Sequence, residues 1–220
     1  ASFDSFGGTI YPGFTDNHII SERELRLLYR LPNRTDDSDI RKLCRRIVAG
    51  VDFGFTSPSA IVVVGLLNDE RMFVLEESYA AERPVLGPGK TLLSEAKRLK
   101  DKWGVSLFSC DPSHPGAIND LASNGIPTVG ADNDIYNGIR RVAVAMAPTL
   151  PDGKPGLLVM DHCKETIREI RNYQWKPNRE QTGFLETPAD NQSDHACDAM
   201  KYSVAELRPI DVAKRSAWGR

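Results

Sequence analysis

Apolar residues recur along the chain with two different periods, and these periods predict a mixture of strands and helices. Three short runs rich in β-branched residues come first, at residues 47–53, 59–67 and 72–79, and each predicts a strand. Residues 68–71, Asn-Asp-Glu-Arg, form a tight turn. The second and third strands are therefore expected to pair as a hairpin.

The remainder of the chain alternates helical and strand-like patterns. Residues 91–103 place Leu92, Ala96 and Leu99 on one face and lysines on the other, as an amphipathic helix does. Further helices are predicted at residues 118–123, 135–147, 163–173 and 193–207, and further strands at residues 105–110, 126–129 and 157–160. Residues 175–191 are expected to be irregular or a hairpin. This order predicts an α/β domain with a mixed central sheet flanked by helices.

The length of 220 residues fits one large domain, or one domain with an appendage. We expect residues 1–43 to be an N-terminal appendage or linker remnant, residues 44–210 to be the domain, and residues 211–220 to be a C-terminal tail. Within the appendage, Ser21 followed by Glu24 predicts a capping box at the start of a short helix.

Composition and charge exclude several classes of protein. The four cysteines form no C-x-x-C pair, which argues against a zinc site and a disulfide framework and favours a reducing compartment. No apolar run approaches the roughly 20 residues of a membrane span. The formal net charge of −2 provides no global basic field, so binding to a nucleic acid would depend on local patches.

Asp52 is the first candidate for chemistry, because it lies in the apolar strand Ile-Val-Ala-Gly-Val-Asp-Phe-Gly. A lone buried carboxylate costs several kcal/mol unless a positive partner compensates it. The sequence leaves three kinds of partner open: an arginine, backbone N–H groups or a metal ion.

Two later stretches carry further acids. Asp111 directly follows the strand predicted at residues 105–110, at the carboxyl end where α/β sheets collect ligands. Near the C-terminus, Asp194, His195 and Asp198 have spacings of three and four residues, which place them on adjoining faces of one helix. Carboxylate clusters of this kind suit Mg²⁺ or Mn²⁺ rather than zinc. Two such ions, roughly 4 Å apart, can hold the attacking and leaving oxygens of a phosphoryl displacement.

The order Val51-Asp52-Phe53-Gly54, then Cys110-Asp111-Pro112, then D-H-x-x-D-A-x-[RK]-Y at residues 194–202 resembles the nuclease domain of phage large terminases. The third motif is the most specific, and the resemblance covers about residues 7–207. That family implies the ribonuclease H-like fold and a relationship to Holliday-junction resolvases. It also has an N-terminal packaging ATPase, whose Walker A loop this sequence lacks. We therefore expect an excised nuclease domain, or a protein that has lost the ATPase.

The resemblance implies metal-dependent cleavage of concatemeric double-stranded viral DNA during genome packaging, in the cytoplasm of the host cell. Asp52 would bridge two Mg²⁺ or Mn²⁺ ions, Asp111 would bind one of them, and the C-terminal helix would supply a third ligand. The implied partners are double-stranded DNA and, in the full protein, an ATPase domain, the portal and the small terminase subunit.

Three residues compete to be the third ligand. We favour Asp194, because the start of a helix projects into a cleft and its dipole favours an acid there. Asp198, one turn further along, is expected to lie deeper. His195 and Asp198 are therefore assigned as alternates, or as partners that orient the ligand and water.

Basic residues that are candidates for contact with the DNA backbone are Arg140, Arg141, Lys154, Lys176 and Arg179. Lys154 is of particular interest because its turn is expected to flank the active face. Two competing interpretations remain: a catalytically silent ribonuclease H-like module that docks onto a motor, and a sugar-kinase or actin-like ATPase. The ATPase requires a second phosphate loop and a later D-x-G, which the sequence lacks.

Overall fold

A computed structural model of the chain describes residues 8–32, 37–147, 149–180 and 182–207. The predicted tail at residues 211–220 lies outside this part. The strands are β1 (Ile19–Ile20), β2 (Cys44–Asp52), β3 (Ser59–Leu67), β4 (Met72–Ala80), β5 (Leu107–Cys110), β6 (Thr128–Gly130), β7 (Leu157–Met160), β8 (Trp175–Pro177) and β9 (Phe184–Pro188). The helices are α1 (Glu22–Leu28), α2 (Ser38–Leu43), α3 (Leu92–Trp103), α4 (Pro115–Ser123), α5 (Ile135–Met146), α6 (Lys164–Asn172) and α7 (His195–Leu207).

Seven strands form one mixed sheet in the order β1-β7-β4-β3-β2-β5-β6. Strands β2, β3 and β4 are antiparallel neighbours, and the turn between β3 and β4 closes the predicted hairpin. Strand β5 runs parallel to β2, and β7 runs parallel to β4. The expected mixed sheet with flanking helices is therefore confirmed. The segment predicted as irregular or a hairpin forms the separate two-stranded sheet β8-β9.

Two neighbouring glutamates on β4 show how helices cover both faces of the sheet. Glu76 accepts hydrogen bonds from Trp103 Nε1 at 2.7 Å and from Arg98 at 2.6 Å, both on α3. Glu77 accepts the backbone N–H of Thr166, on α6, at 2.7 Å. Because successive residues of a strand point to opposite faces, α3 covers one face and α6 the other. Helix α7 packs against both α6 and β2, so it lies on the α6 face.

Gly50 allows α7 to lie directly on the centre of the sheet. A Cβ at this position would lie 1.7 Å from the carbonyl oxygen of Ala199. Beside it, the hydroxyl of Ser203 donates to the carbonyl of Val62 on β3 at 2.9 Å. Any side chain larger than hydrogen at Gly50 would push α7 away from the sheet.

The expected N-terminal appendage is part of the packed domain over the residues that the structure describes. Strand β1 extends the main sheet by pairing with β7, and Ile10, Tyr11 and Leu25 are buried in the core. The capping box between Ser21 and Glu24 is confirmed at the start of α1. A domain that begins at residue 44 would leave this apolar surface uncovered, so we propose that the packed domain begins before residue 10.

The sequence patterns missed α2 and placed several ends incorrectly by one to three residues. Helix α4 begins at Pro115, whose fixed φ suits the first turn of a helix, rather than at residue 118. Helix α7 begins at His195 rather than at residue 193. Within the described part of the chain, no helix is long and apolar enough to cross a membrane.

Candidate active site

The carboxyl ends of β2 and β5 bring two of the predicted acids to the same edge of the sheet. The strands are parallel, with Val51 opposite Cys110. The backbone N–H of Asp111 then donates to the carbonyl of Val51 at 2.9 Å. Asp52 and Asp111 therefore lie at the ends of neighbouring strands. Burial raises the pKa of Asp52, and the nearby charge of Asp111 adds to this shift.

The start of α7 reaches this edge through His195. Its Nδ1 lies 2.8 Å from Oδ2 of Asp52, and the two side chains are 20% and 12% exposed. The hydrogen bond that His195 donates to Asp52 raises the pKa of His195 above its usual value. The partner that compensates Asp52 in this structure is therefore an imidazole, which the sequence analysis did not consider for this role.

Burial raises the pKa of two aspartates at this edge. Burial raises the pKa of Asp52, with His195 opposing the shift and Asp198 adding to it. Burial, together with the nearby charge of Asp198, raises the pKa of Asp194 to about 6. These acids repel one another, so a bound cation would stabilise their ionised forms.

The side chain of Asp198 is more exposed than that of Asp52, and Asp194 and Asp198 are both partly buried. The Asp198 side chain is 28% exposed, whereas that of Asp52 is 12% exposed. Oδ1 of Asp198 lies 2.6 Å from Nζ of the buried Lys201, without the alignment of a hydrogen bond. Lys201 in turn donates to the hydroxyl of Tyr173 at 3.3 Å. Asp198 is therefore partly neutralised by a fixed lysine. Burial raises the pKa of Asp194, and the charge of the same lysine partly opposes that shift.

Asp111 is held by the turn that follows β5. It accepts hydrogen bonds from the backbone N–H of Ser113 at 2.9 Å and from the Ser113 hydroxyl at 2.6 Å. The Nδ1 of His114 lies 3.4 Å from its carboxylate, and the His114 ring packs against Phe53. These contacts fix the orientation of the Asp111 carboxylate at the sheet edge.

A buried glutamate that sequence reasoning missed also contacts this site. Glu169, on α6, is 0% exposed and accepts the backbone N–H groups of Ala196 and Cys197 at the start of α7. The periodicity of α6 contained a signal for it, because Glu169 falls on the same face as the buried Thr166 and Ile170.

The donor chemistry of the cluster fits a hard divalent cation, because Asp52, Asp111, Asp194 and Asp198 offer only oxygen. In this conformation, however, these side chains do not form a complete metal site. Across the described residues, no three His, Cys, Asp or Glu side chains are grouped closely enough to hold a metal ion. Since His195 already holds Oδ2 of Asp52, coordination by Asp52 and a second acid requires side-chain rearrangement.

The predicted DNA-binding residues are scattered. Arg140 and Arg179 are exposed. Arg141 is held by Asp132 at 3.0 Å, and Lys176 pairs with Asp190 in the β8-β9 hairpin.

Lys154 does not flank the candidate active site. Its turn is attached through Asp152, which accepts a hydrogen bond from Arg71 at 2.7 Å. Arg71 directly precedes β4. The other end of β4, at Ala80, pairs with Ser59 on β3, and the next residue of β3, Ala60, pairs with Asp52. A nine-residue strand spans roughly 30 Å. The expectation that Lys154 lies at the active face is therefore wrong, because β4 separates the two.

Comparison with known proteins identifies what the chain resembles. No protein-family model matches it. The large terminase subunit of Escherichia phage T5 is 24% identical over 214 residues, which are 94% of this chain and 44% of the T5 protein. The large terminase of a thermophilic bacteriophage, solved with ATP-γ-S, is 26% identical with a TM-score of 0.64, over 90% of this chain and 45% of that one. The chain thus spans less than half the length of these two proteins.

Isolated nuclease domains share the fold over most of their length. The nuclease domain of the P22 large terminase has a TM-score of 0.64 at 15% identity, covering 93% of this chain and 95% of that one. The nuclease of the large terminase from another thermophilic phage, G20c, solved with cobalt, has a TM-score of 0.56 at 15% identity, covering 73% and 81%. It was also solved with magnesium. The resemblance to phage large terminases is confirmed, and the fold of this chain is that of their nuclease domains.

Proposed function

We propose that this chain is a Mg²⁺- or Mn²⁺-dependent endonuclease that cleaves concatemeric double-stranded viral DNA during genome packaging. The observation that carries the proposal is that Asp52 and Asp111 lie at the carboxyl ends of neighbouring parallel strands in a fold shared with terminase nuclease domains, and that His195, the residue after Asp194, lies 2.8 Å from Asp52. The cobalt and magnesium in the G20c nuclease structures support a divalent metal.

In this proposal Asp52, Asp111 and Asp194 would hold the metal ions, with Asp52 as the central ligand. Such ions activate water and stabilise the charge that develops on a phosphate during hydrolysis. His195 keeps Asp52 oriented through the 2.8 Å contact. Lys201 holds Asp198 and limits the negative charge that the site carries without metal. Asp198 and His195 thus orient ligand and water rather than serve as the third ligand.

We propose that the DNA is bound through its phosphates, because the candidate DNA-binding residues are lysines and arginines that lie on separate elements of the fold. Contacts to phosphates position DNA but carry no sequence information. We therefore propose cleavage that is largely independent of sequence. Among the five cations predicted to bind DNA, Arg140 and Arg179 are the exposed pair that we retain as the principal candidates.

The longer relatives suggest further partners. Because the phage T5 protein and the terminase solved with ATP-γ-S extend well beyond the matched region, we propose that this nuclease works beside an ATPase domain, the portal and a small terminase subunit. The process would take place in the cytoplasm of the host cell.

A second candidate function is a catalytically silent docking module of a packaging motor. The observation in its favour is that no three metal-binding side chains are grouped within the described residues. The two proposals differ in one assay, the nicking of supercoiled plasmid DNA with Mn²⁺ and with a chelator. Nicking by the wild type that disappears with the chelator and in Asp52→Asn supports the nuclease. An inert wild type at high protein concentration, with native circular dichroism, supports the silent module.

A further inference from the structure

Glu169 ties the start of α7 to the rest of the domain. Its Oε2 accepts the backbone N–H of Ala196 at 2.7 Å and that of Cys197 at 3.2 Å. The first N–H groups of a helix have no partner within the helix, and a buried start requires one from elsewhere. Here a glutamate from a neighbouring helix supplies it, and its negative charge matches the positive end of the helix dipole.

The other oxygen of Glu169 is held as firmly. The hydroxyl of Tyr79 donates to Oε1 at 2.7 Å, and Tyr79 belongs to β4 in the main sheet. The carboxylate therefore connects a central strand, α6 and the first turn of α7. Because Glu169 is fully buried, water cannot substitute for either set of contacts.

The two amides that Glu169 binds lie inside the candidate active-site motif. His195 immediately precedes Ala196, and Asp198 immediately follows Cys197. A rotation or displacement of this turn would move His195 away from Asp52, to which it is now 2.8 Å distant. The Tyr79 ring also lies 6.3 Å from the His195 ring, so the same group of residues limits the space of the imidazole.

We propose that Glu169 is a positioning residue of the candidate active site: it fixes the first turn of α7, so that His195 meets Asp52 and the adjoining acids face the sheet edge. The expected effect of Glu169 on cleavage rests on the proposed nuclease function, whereas its expected effect on the position of His195 does not. Glu169 itself touches neither Asp52 nor His195 in this role, and acts through the backbone of α7.

The test compares Glu169→Ala and Glu169→Gln with the control Glu165→Gln. Glu165 lies one turn earlier on α6 and is partly exposed, with its carboxylate paired to Arg168 rather than to α7. The first measurement is the NMR signal of the His195 imidazole in a chelator at fixed pH, assigned by its loss in His195→Ala. The second is Mn²⁺-dependent plasmid nicking, with kcat and KM determined separately per folded molecule.

We expect Glu169→Ala to shift the His195 signal and to lower kcat about ten- to a hundredfold with little change in KM, as loss of partners that orient ligands does. Glu169→Gln should give an intermediate result, because its amide oxygen still accepts the N–H groups but without charge. Glu165→Gln should match the wild type. If Glu169→Ala fails to fold, Glu169→Gln provides the same comparison.

An unchanged His195 signal and an unchanged kcat in a folded Glu169 variant would overturn the inference. A wild type without any nicking would instead remove the proposed nuclease function, and the imidazole signal would still decide the positioning role. A loss of stability alone, with kcat per folded molecule preserved, would also count against positioning.

Discussion

Asp52 and His195 are joined by a 2.8 Å hydrogen bond although they lie 143 positions apart in the chain. The bond connects the end of β2 with the first residue of α7. Through this bond Asp52, the most buried candidate metal ligand, contacts the motif at residues 194–202, which is the most specific motif of the sequence. The pair explains how a carboxylate at the end of an apolar strand is tolerated, since a charged or neutral imidazole donates to it.

Asp52→Asn should abolish Mn²⁺-dependent plasmid nicking while the fold is retained. The amide keeps the size of the side chain but loses the charge that a metal ligand requires. Removing the charge also relieves repulsion from Asp198 and Asp111, so the melting temperature in a chelator should hold or rise. Nicking assays and thermal denaturation check the two parts. Strong nicking by this variant at saturating Mn²⁺ would contradict the role of Asp52.

In the absence of metal, the contribution of Asp194 to stability should fall as the pH rises from about 4 to about 6. Burial and Asp198 raise the pKa of Asp194 from 3.8 to about 6. A carboxyl with a higher pKa when folded binds more protons in the folded state, so its stabilisation is present below the unfolded pKa and is lost as the pH rises through the folded one. Because Asp194 is only partly buried, solvent screening keeps this change small.

Urea denaturation in a chelator at several pH values measures this slope. Asp194→Asn should remove this loss, so that its stability relative to the wild type increases from pH 4 to pH 6, and Asp101→Asn, which removes an exposed acid on α3, should not show this increase. An equal slope in wild type and Asp194→Asn would show that the acid-dependent stability arises elsewhere.

Calorimetric titration with Mn²⁺ should rank the three candidates at the start of α7, which are Asp194, His195 and Asp198. Asp194→Asn should weaken binding most, because Asp194 carries a raised pKa that ligation would relieve. Asp198→Asn should have a smaller effect, since Lys201 already lies 2.6 Å from its carboxylate. His195→Ala should alter binding least, because it frees Oδ2 of Asp52. A larger loss for Asp198→Asn than for Asp194→Asn would reverse our assignment of the third ligand.

Gly50→Ala should destabilise the protein by about 3 kcal/mol or more, the upper range for overpacking. The added Cβ would meet the carbonyl oxygen of Ala199 at 1.7 Å, and backbone cannot move aside as a flexible side chain does. Gly116→Ala is the control. Gly116 lies in α4, and a Cβ added at this position would have no neighbouring atom within 4 Å. It should be neutral or up to about 1 kcal/mol more stable. The midpoints of urea denaturation of the two variants measure both changes in stability.

Local patterns predicted those parts of the fold that local forces determine. Strand β3 was predicted with both its ends correct, because an unbroken apolar run is bounded by turn residues. Asp111 was expected at the carboxyl end of a strand, and β5 ends at Cys110, directly before it. The packing of residues 8–32 did not follow, because β1 has only two residues and depends on a partner, β7, far along the chain.

The parts of the site that were missed depend on contacts between distant elements. Glu169 resembles any acid of an amphipathic helix until α7 is placed against it. The partner of Asp52 was left open, because no local spacing relates it to His195. Lys154 was assigned to the wrong edge for the same reason, since its position is set by the contact of Asp152 with Arg71.

The position of Lys154 leads to a prediction about DNA binding that compares it with Arg179. Arg179 is exposed in the β8-β9 hairpin, whose base is joined through Gln174 and Gln192 to the segment just before α7. Lys154 lies at the other end of the sheet. Arg179→Ala should therefore weaken binding to a DNA duplex and reduce the slope of log affinity against log salt by about one, as loss of one phosphate contact does.

Lys154→Ala should leave both the affinity and the salt slope unchanged, although it removes the same charge. Fluorescence anisotropy with one labelled duplex at several salt concentrations measures both quantities. The net charge of −2 makes long-range attraction weak, so a loss confined to Arg179→Ala would reflect a local contact. Equal losses in both variants would mean that overall charge governs binding, and a loss only in Lys154→Ala would place the DNA at the opposite edge of the sheet from Asp52.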